Sequence, residues 1–248
     1  MRQPSGVLLL GGRMSGVLPL PMRRRYATTR RALADTMGLV TGEDRATHPL
    51  WRPLVAGANA ARQGQRVAHR QTEPGPLQEH DPSWSGAYAT VETVIRGALL
   101  DRALGIEHVG STAVPGLVAK PVIDIDLTVA DVGDEPAYLP VLERVGFRLI
   151  FRDELAGEPH RHLTFPDPNT NLHVWNSGAI EPRRHALFAE HLRSDATGRR
   201  RYGAAKLAAA AAREGGRYND LKAAAVYEIY ERAFRADREH DHDPRPLD

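Results

Sequence analysis

The amino-acid sequence predicts an α/β domain, a mixed β-sheet with flanking helices and a C-terminal helical cap. Three observations predict it. Apolar residues recur at helical spacing from Trp84 to Leu99, short β-branched runs then alternate apolar with polar residues, and from Ile180 onward the pattern is helical and rich in alanine and arginine.

The domain is expected to occupy residues 77–236 of the 248. Residues 1–76 hold twelve arginines against four acidic residues, a net charge of +8 in a chain whose total is +2. The basic balance is therefore a property of the head, which mixes Gly, Pro and Arg with little periodicity beyond a modest helix at 28–37. This head is expected to be a disordered or over-extended start, with Met14, Met22 and Met37 as internal alternatives, and a role in binding nucleic acid is not the favoured one. Residues 237–248, with His240 and His242, are expected to be a solvated tail.

Two absences exclude classes of function. There is no cysteine, which removes disulfides, thiolate metal sites and a cysteine nucleophile, and makes a reducing cytoplasm the expected compartment. No apolar stretch approaches 18 residues, so a membrane partner is not expected.

Within the domain, Pro82-Ser83 opens a helix whose Trp84, Tyr88, Val91, Val94, Ile95 and Leu99 face inward. A strand at 106–109 runs into Gly110-Ser111-Thr112, small residues that let backbone N–H groups face an anion. The strand at 123–129 follows, near the centre of the sheet. A helix at 134–145 ends at Gly146, and a strand follows at 147–152. Strands at 161–165 and 171–175 are joined by Pro166-Asp167-Pro168-Asn169. Helices at 180–194, 199–213 and 217–236 complete the cap, with a Gly-Gly break before the last.

The chemistry is expected on the strand Ile123-Asp124-Ile125-Asp126-Leu127-Thr128-Val129. Side chains alternate faces along a strand, so Asp124 and Asp126 share the face opposite the apolar residues. Two carboxylates at that spacing repel unless a hard cation lies between them, and Mg²⁺ takes one or two carboxylates together with phosphate oxygens. His162 and His173 fall on the polar face of their own strands and line the same cleft if the faces coincide. The chain has three lysines, Lys120, Lys206 and Lys222, against 30 arginines. Where arginine serves every ordinary cationic position, a lysine suggests a compact ammonium at a tight phosphate site.

A Gly-Ser turn followed by an Asp-x-Asp strand resembles the nucleotidyltransferase superfamily that includes polymerase β. The chain also resembles GrpB-like proteins, assigned to the nucleotidyltransferase fold and found fused behind dephospho-CoA kinase. The matching residues are Ile106 through Leu117, Lys120-Pro121-Val122-Ile123-Asp124-Ile125, Leu172-His173-Val174, Arg184-His185, Phe188, Leu192-Arg193, Tyr202 with Lys206, and Lys222. The resemblance spans residues 77–234 and implies a nucleotidyltransferase-like fold. It implies phosphate or nucleotide contacts from Gly110, Ser111, Thr112, Lys120, Arg184, Lys206 and Lys222, with Asp124 and Asp126 holding Mg²⁺; His162, by its place on the polar face of its strand, is a further candidate for such a contact.

Two departures qualify the resemblance. The third carboxylate of such a site is expected on the strand at 171–175, where His173 stands instead as candidate base or weak ligand. GGRMSG near the start lacks the Lys-Ser/Thr of a P-loop, so kinase activity is not carried over. The expected activity is Mg²⁺-dependent nucleotidyl transfer to a small-molecule hydroxyl or phosphate. The alternative is a non-catalytic module that binds a nucleotide or CoA precursor.

Overall fold

The computed structural model describes residue 50 and residues 64–155, 157–212 and 218–237. Six strands form one sheet: β1 (Gly64–Arg66), β2 (Gly105–Val109), β3 (Ile123–Val129), β4 (Arg148–Leu155), β5 (Glu158–Phe165) and β6 (Thr170–Asn176), in the order β1-β4-β5-β6-β3-β2. β3 and β6 are parallel and every other neighbouring pair is antiparallel. The sheet is therefore mixed, as its alternating strands predict.

Alternation decides what each face touches. Ile123, Ile125, Leu127 and Val129 of β3, with Leu172 and Val174 of β6 and Leu163 of β5, are buried in one apolar cluster. Helices α1 (Trp84–Leu99) and α2 (Glu135–Arg144) close that cluster with Trp84, Val91, Ile95 and Leu99 from the first and Tyr138, Leu139 and Leu142 from the second. Burying each large aliphatic side chain contributes about 1.5–3 kcal/mol, so this layer fixes the register of the Asp strand.

The opposite face of the sheet is polar and is covered by the C-terminal helices α3 (Ile180–Ser194), α4 (Ala196–Ala211) and α5 (Tyr218–Ala236). These helices have their own small cores. Val114 and Leu117 pack with Ala189, Leu192, Tyr202 and Ile229, and Leu50 packs with Tyr230 and Phe234. Asp195 caps α4, its Oδ1 accepting from the backbone N–H groups of Thr197 and Gly198 at 2.9 Å. The Glu158 carboxylate accepts from the N–H groups of Ile180 and Glu181 and so caps α3 from a strand that precedes it.

Two expectations are corrected. The Asp strand β3 lies one position in from the edge, because β2 returns antiparallel beside it and, among the described residues, no strand pairs beyond β2. The fold also begins before residue 77: β1 pairs with β4, and Gln78 bridges Ala119. Three residues of strand with no apolar alternation, Gly64-Gln65-Arg66, carry too little pattern to be read from sequence. The helix expected at 28–37, the Gly-Gly break and the histidines of the tail lie outside the described residues.

Candidate functional site

The turn after β2 is built around Gly110. Its φ of +70° is open to glycine, and a Cβ there would stand 2.5 Å from Oδ2 of Asp124, a closer approach than real Cβ atoms make. Glycine thus lets the turn lie directly against the carboxylate that Val109 faces across the β2–β3 pair. Thr112 pins the turn: its hydroxyl donates to the carbonyl of Val122 at 3.2 Å and accepts from Nε2 of His108 at 3.0 Å. Burial, with Arg193 and His80 nearby, pushes His108 down to about 4, so it is neutral and its Nε2 carries the donated proton. The Thr112 side chain is thereby committed to holding the turn, and Ser111 lines the space in front of it.

That space is a cavity of about 240 Å³ at the N-terminal end of β3. All three lysines of the chain line it: Lys120 from the connector before β3, Lys206 from α4 and Lys222 from α5. Lys120 and Lys222 approach the ring of Tyr218, 4.8 and 5.1 Å from its centroid, so the ring's negative face partly offsets their charge. Among the described residues, none of the three ammonium groups has a carboxylate within 4 Å. Buried or half-buried cations are ordinarily paired, so cations facing a cavity without such a partner make it a candidate anion site.

Asp124 is the carboxylate that lines this cavity. Its Oδ1 accepts from Nδ2 of Asn171 at 2.6 Å. The Asn171 amide is itself oriented from behind, because its Oδ1 accepts both from Arg70 and from Nε2 of His162 at 3.0 Å. Burial pushes the Asp124 carboxyl above its ordinary range, opposed by the Asn171 hydrogen bond and by Lys222. His162 is buried on β5 and acts on Asp124 through Asn171; the cavity lining does not include it.

Asp126, two residues on, lives in different surroundings. It is 2 % exposed; Oδ1 accepts from the Trp175 indole N–H at 2.8 Å and Oδ2 meets Nδ1 of His185 on α3 at 2.8 Å. Burial opposes a charge on His185, but Asp126 and Glu181 outweigh it and raise the imidazole. The pair lies between sheet and helix, with the Asp126 side chain buried and that of His185 28 % exposed. Beside it His160, His162 and His173 stack ring on ring, and Asp153 anchors the row through His160 Nδ1 at 2.6 Å, while His160 Nε2 meets His173 Nδ1 at 3.0 Å. His173 lies opposite Asp126 in register, within this row, and is not among the cavity-lining residues. Arg184 is buried on α3 against the Tyr230 ring at 4.7 Å and beside Glu181, likewise outside the cavity lining.

This donor set does not fit a magnesium ion held jointly by Asp124 and Asp126. Both oxygens of Asp126 already accept N–H donors in a buried layer, Asn171 stands beside Asp124 where a further acid would be useful, and the nearest charges in the cavity are ammonium groups. Among the described residues no group of three or more His, Asp or Glu side chains is arranged to hold a metal.

The structure therefore brings together Ser111, Thr112, Lys120, Asp124, Lys206 and Lys222 at one cavity, places Gly110 behind it against Asp124, and leaves Asp126, His162, His173 and Arg184 outside the lining. Sequence reasoning missed Arg70, Asn171, Trp175 and Tyr218. Asn171 and Trp175 were legible as polar-face positions of β6, but which partner each would meet depends on strand order.

Residues 76–232 match the family model described as GrpB protein. A UPF0157 protein of Halalkalibacterium halodurans is 43% identical over 159 residues, covering 63% of this chain and 81% of that one. The crystal structure of the conserved protein GrpB from Enterococcus faecalis superposes with a TM-score of 0.56 at 27% identity, covering 64% of this chain and 98% of that one. A dephospho-CoA kinase of Mycolicibacterium paratuberculosis is 32% identical over 161 residues, and this chain spans only 40% of it.

Proposed function

The chain belongs to the GrpB family, and from that premise we propose that its cavity binds the phosphate of a small molecule, a nucleotide or a CoA precursor, as a binding module. One observation carries the reading: the three lysines of the chain converge on one cavity, and among the described residues no carboxylate lies within 4 Å of them. A phosphate entering there meets point-charge donors, which suit a compact tetrahedral anion, and Ser111 of the turn after β2. At about 240 Å³ the cavity is smaller than a pocket for a whole drug-sized ligand and suits a phosphate end, the rest of the ligand extending outward past Tyr218 and Pro74. The kinase relative suggests the CoA-precursor class; the kinase activity itself is not proposed for this chain.

Calorimetric titration with AMP, ADP, ATP and dephospho-CoA tests the reading. At least one is expected to bind, with Lys120→Met and Lys222→Met each weakening it about tenfold or more, as for loss of one charge-assisted contact. Binding that is indifferent to both substitutions would remove the proposal.

A second reading, Mg²⁺-dependent nucleotidyl transfer, is favoured by the order Gly-Ser turn, Asp124, Asp126 on adjoining strands. It requires Asp126 to exchange Trp175 and His185 for a metal. Pyrophosphate release from any NTP in the presence of Mg²⁺, abolished in Asp126→Asn, would favour this reading over the first.

A further inference from the structure

Lys206 differs from the other two lysines of the cavity. It is 3 % exposed, and its Nζ donates to the carbonyl of Val118 at 2.6 Å. The helix that carries it presses close: one turn earlier, a Cβ on Gly203 would lie 3.2 Å from the Val118 side chain. Among the described residues, the charged and titratable groups facing it are Lys222 and Tyr218 from α5, Lys120 from the connector, Asp124 from β3 and Tyr202 from its own helix. Two of these are cations, and the one carboxylate among them does not come within 4 Å. An ammonium so placed is poorly solvated and has no carboxylate beside it among the described residues, so it holds its proton less firmly than in water.

Charge counting then separates ligands. With Lys206 neutral, the lining offers the two cations Lys120 and Lys222 beside one acid, Asp124, and a singly charged anion already suits it. With Lys206 protonated the lining carries one charge more and offers further N–H donors. We propose that Lys206 selects a terminal phosphate, a dianion, over singly charged anions such as phosphodiesters, and that it does so by taking up a proton from solvent as the dianion enters. This rests on the phosphate reading of the cavity. Burial, reinforced by Lys222 and Lys120 and opposed by Asp124, pushes the amine down to about 7, which places the uptake within reach of ordinary buffers.

The test is calorimetry of the full chain at pH 8 with methyl phosphate, sulfate and dimethyl phosphate, in buffers of different ionisation enthalpy. Methyl phosphate and sulfate are expected to bind with uptake of about one proton per ion, and their association constants to fall about tenfold per pH unit above pH 8. Dimethyl phosphate, singly charged, is expected to bind at least about tenfold more weakly. Below about pH 6 methyl phosphate gains a proton and weakens while sulfate does not. Lys206→Arg is expected to keep the preference for dianions and lose the proton uptake, and Lys206→Met to lose both. Dianion binding without proton uptake, or equal binding of dimethyl phosphate, would overturn the role of Lys206 while leaving the phosphate site standing. If none of the three anions binds, the phosphate reading falls and this inference with it. The proton count is made on the unaltered chain, so it stands even if Lys206→Met fails to fold.

Discussion

Asp124 and Asp126 stand two residues apart on one face of one strand, yet they belong to different kinds of environment. Asp124 faces a cavity in which, among the described residues, the cations have no carboxylate within 4 Å, whereas Asp126 is enclosed by Trp175 and His185 with both oxygens engaged. An arrangement of charges left incomplete is a candidate for binding; one that is complete is part of the core. The difference comes from what covers each residue: the lysines of α4 and α5 reach Asp124 across open space, and α3 lies directly on Asp126.

The largest effects are expected from breaking this contrast at Asp126. Asp126→Ala leaves the Trp175 N–H and the His185 imidazole without their acceptor and is expected to cost about 3–5 kcal/mol, as for one partner removed from a buried pair. Asp124→Ala removes an acid from among cations and leaves the Asn171 N–H without its acceptor, and is expected to cost about 1–2 kcal/mol while tightening phosphate binding. Urea denaturation of both variants checks this. Equal losses would mean that the two aspartates do the same structural work.

Gly110→Ala is expected to have the next largest effect. The added methyl meets Asp124 Oδ2 at 2.5 Å in a backbone conformation that L-residues rarely adopt. A loss of about 1–3 kcal/mol is expected, together with weaker phosphate binding because the carboxylate and turn must separate. Unchanged binding in a destabilised protein would assign Gly110 to the fold alone.

The smallest expected effect is in the pH dependence of stability. His185 is raised in the fold, so its pairing with Asp126 contributes fully below the unfolded imidazole value and is lost as pH rises through the folded value. Thermal denaturation midpoints are expected to decline over that interval, and Asp126→Asn to flatten the decline. A decline that persists in Asp126→Asn would point to another group.

How much of this was legible in the chain follows from the range of the interactions involved. Alternation along 123–129 marked the two aspartates as sharing a face, and helical spacing marked α1 and α2 as its apolar cover, because both patterns are local to a few residues. The rarity of lysine marked Lys120, Lys206 and Lys222, and they do meet at one cavity. His173 was read as a partner of the aspartates, and register does place it opposite Asp126, but within a stack with His160 and His162 that spans adjacent strands. β1 and Arg70 were invisible because they act only through pairing with residues about a hundred positions away.

The sequence by itself determined which residues alternate, where the chain turns at Gly110, and that two carboxylates and three lysines were available. Tertiary structure alone decided that one carboxylate is sealed and the other faces the cavity. The reason is physical: whether a charge is paired or exposed depends on what packs over it, and the covering helices α3, α4 and α5 come from residues more than fifty positions beyond the strand they cover.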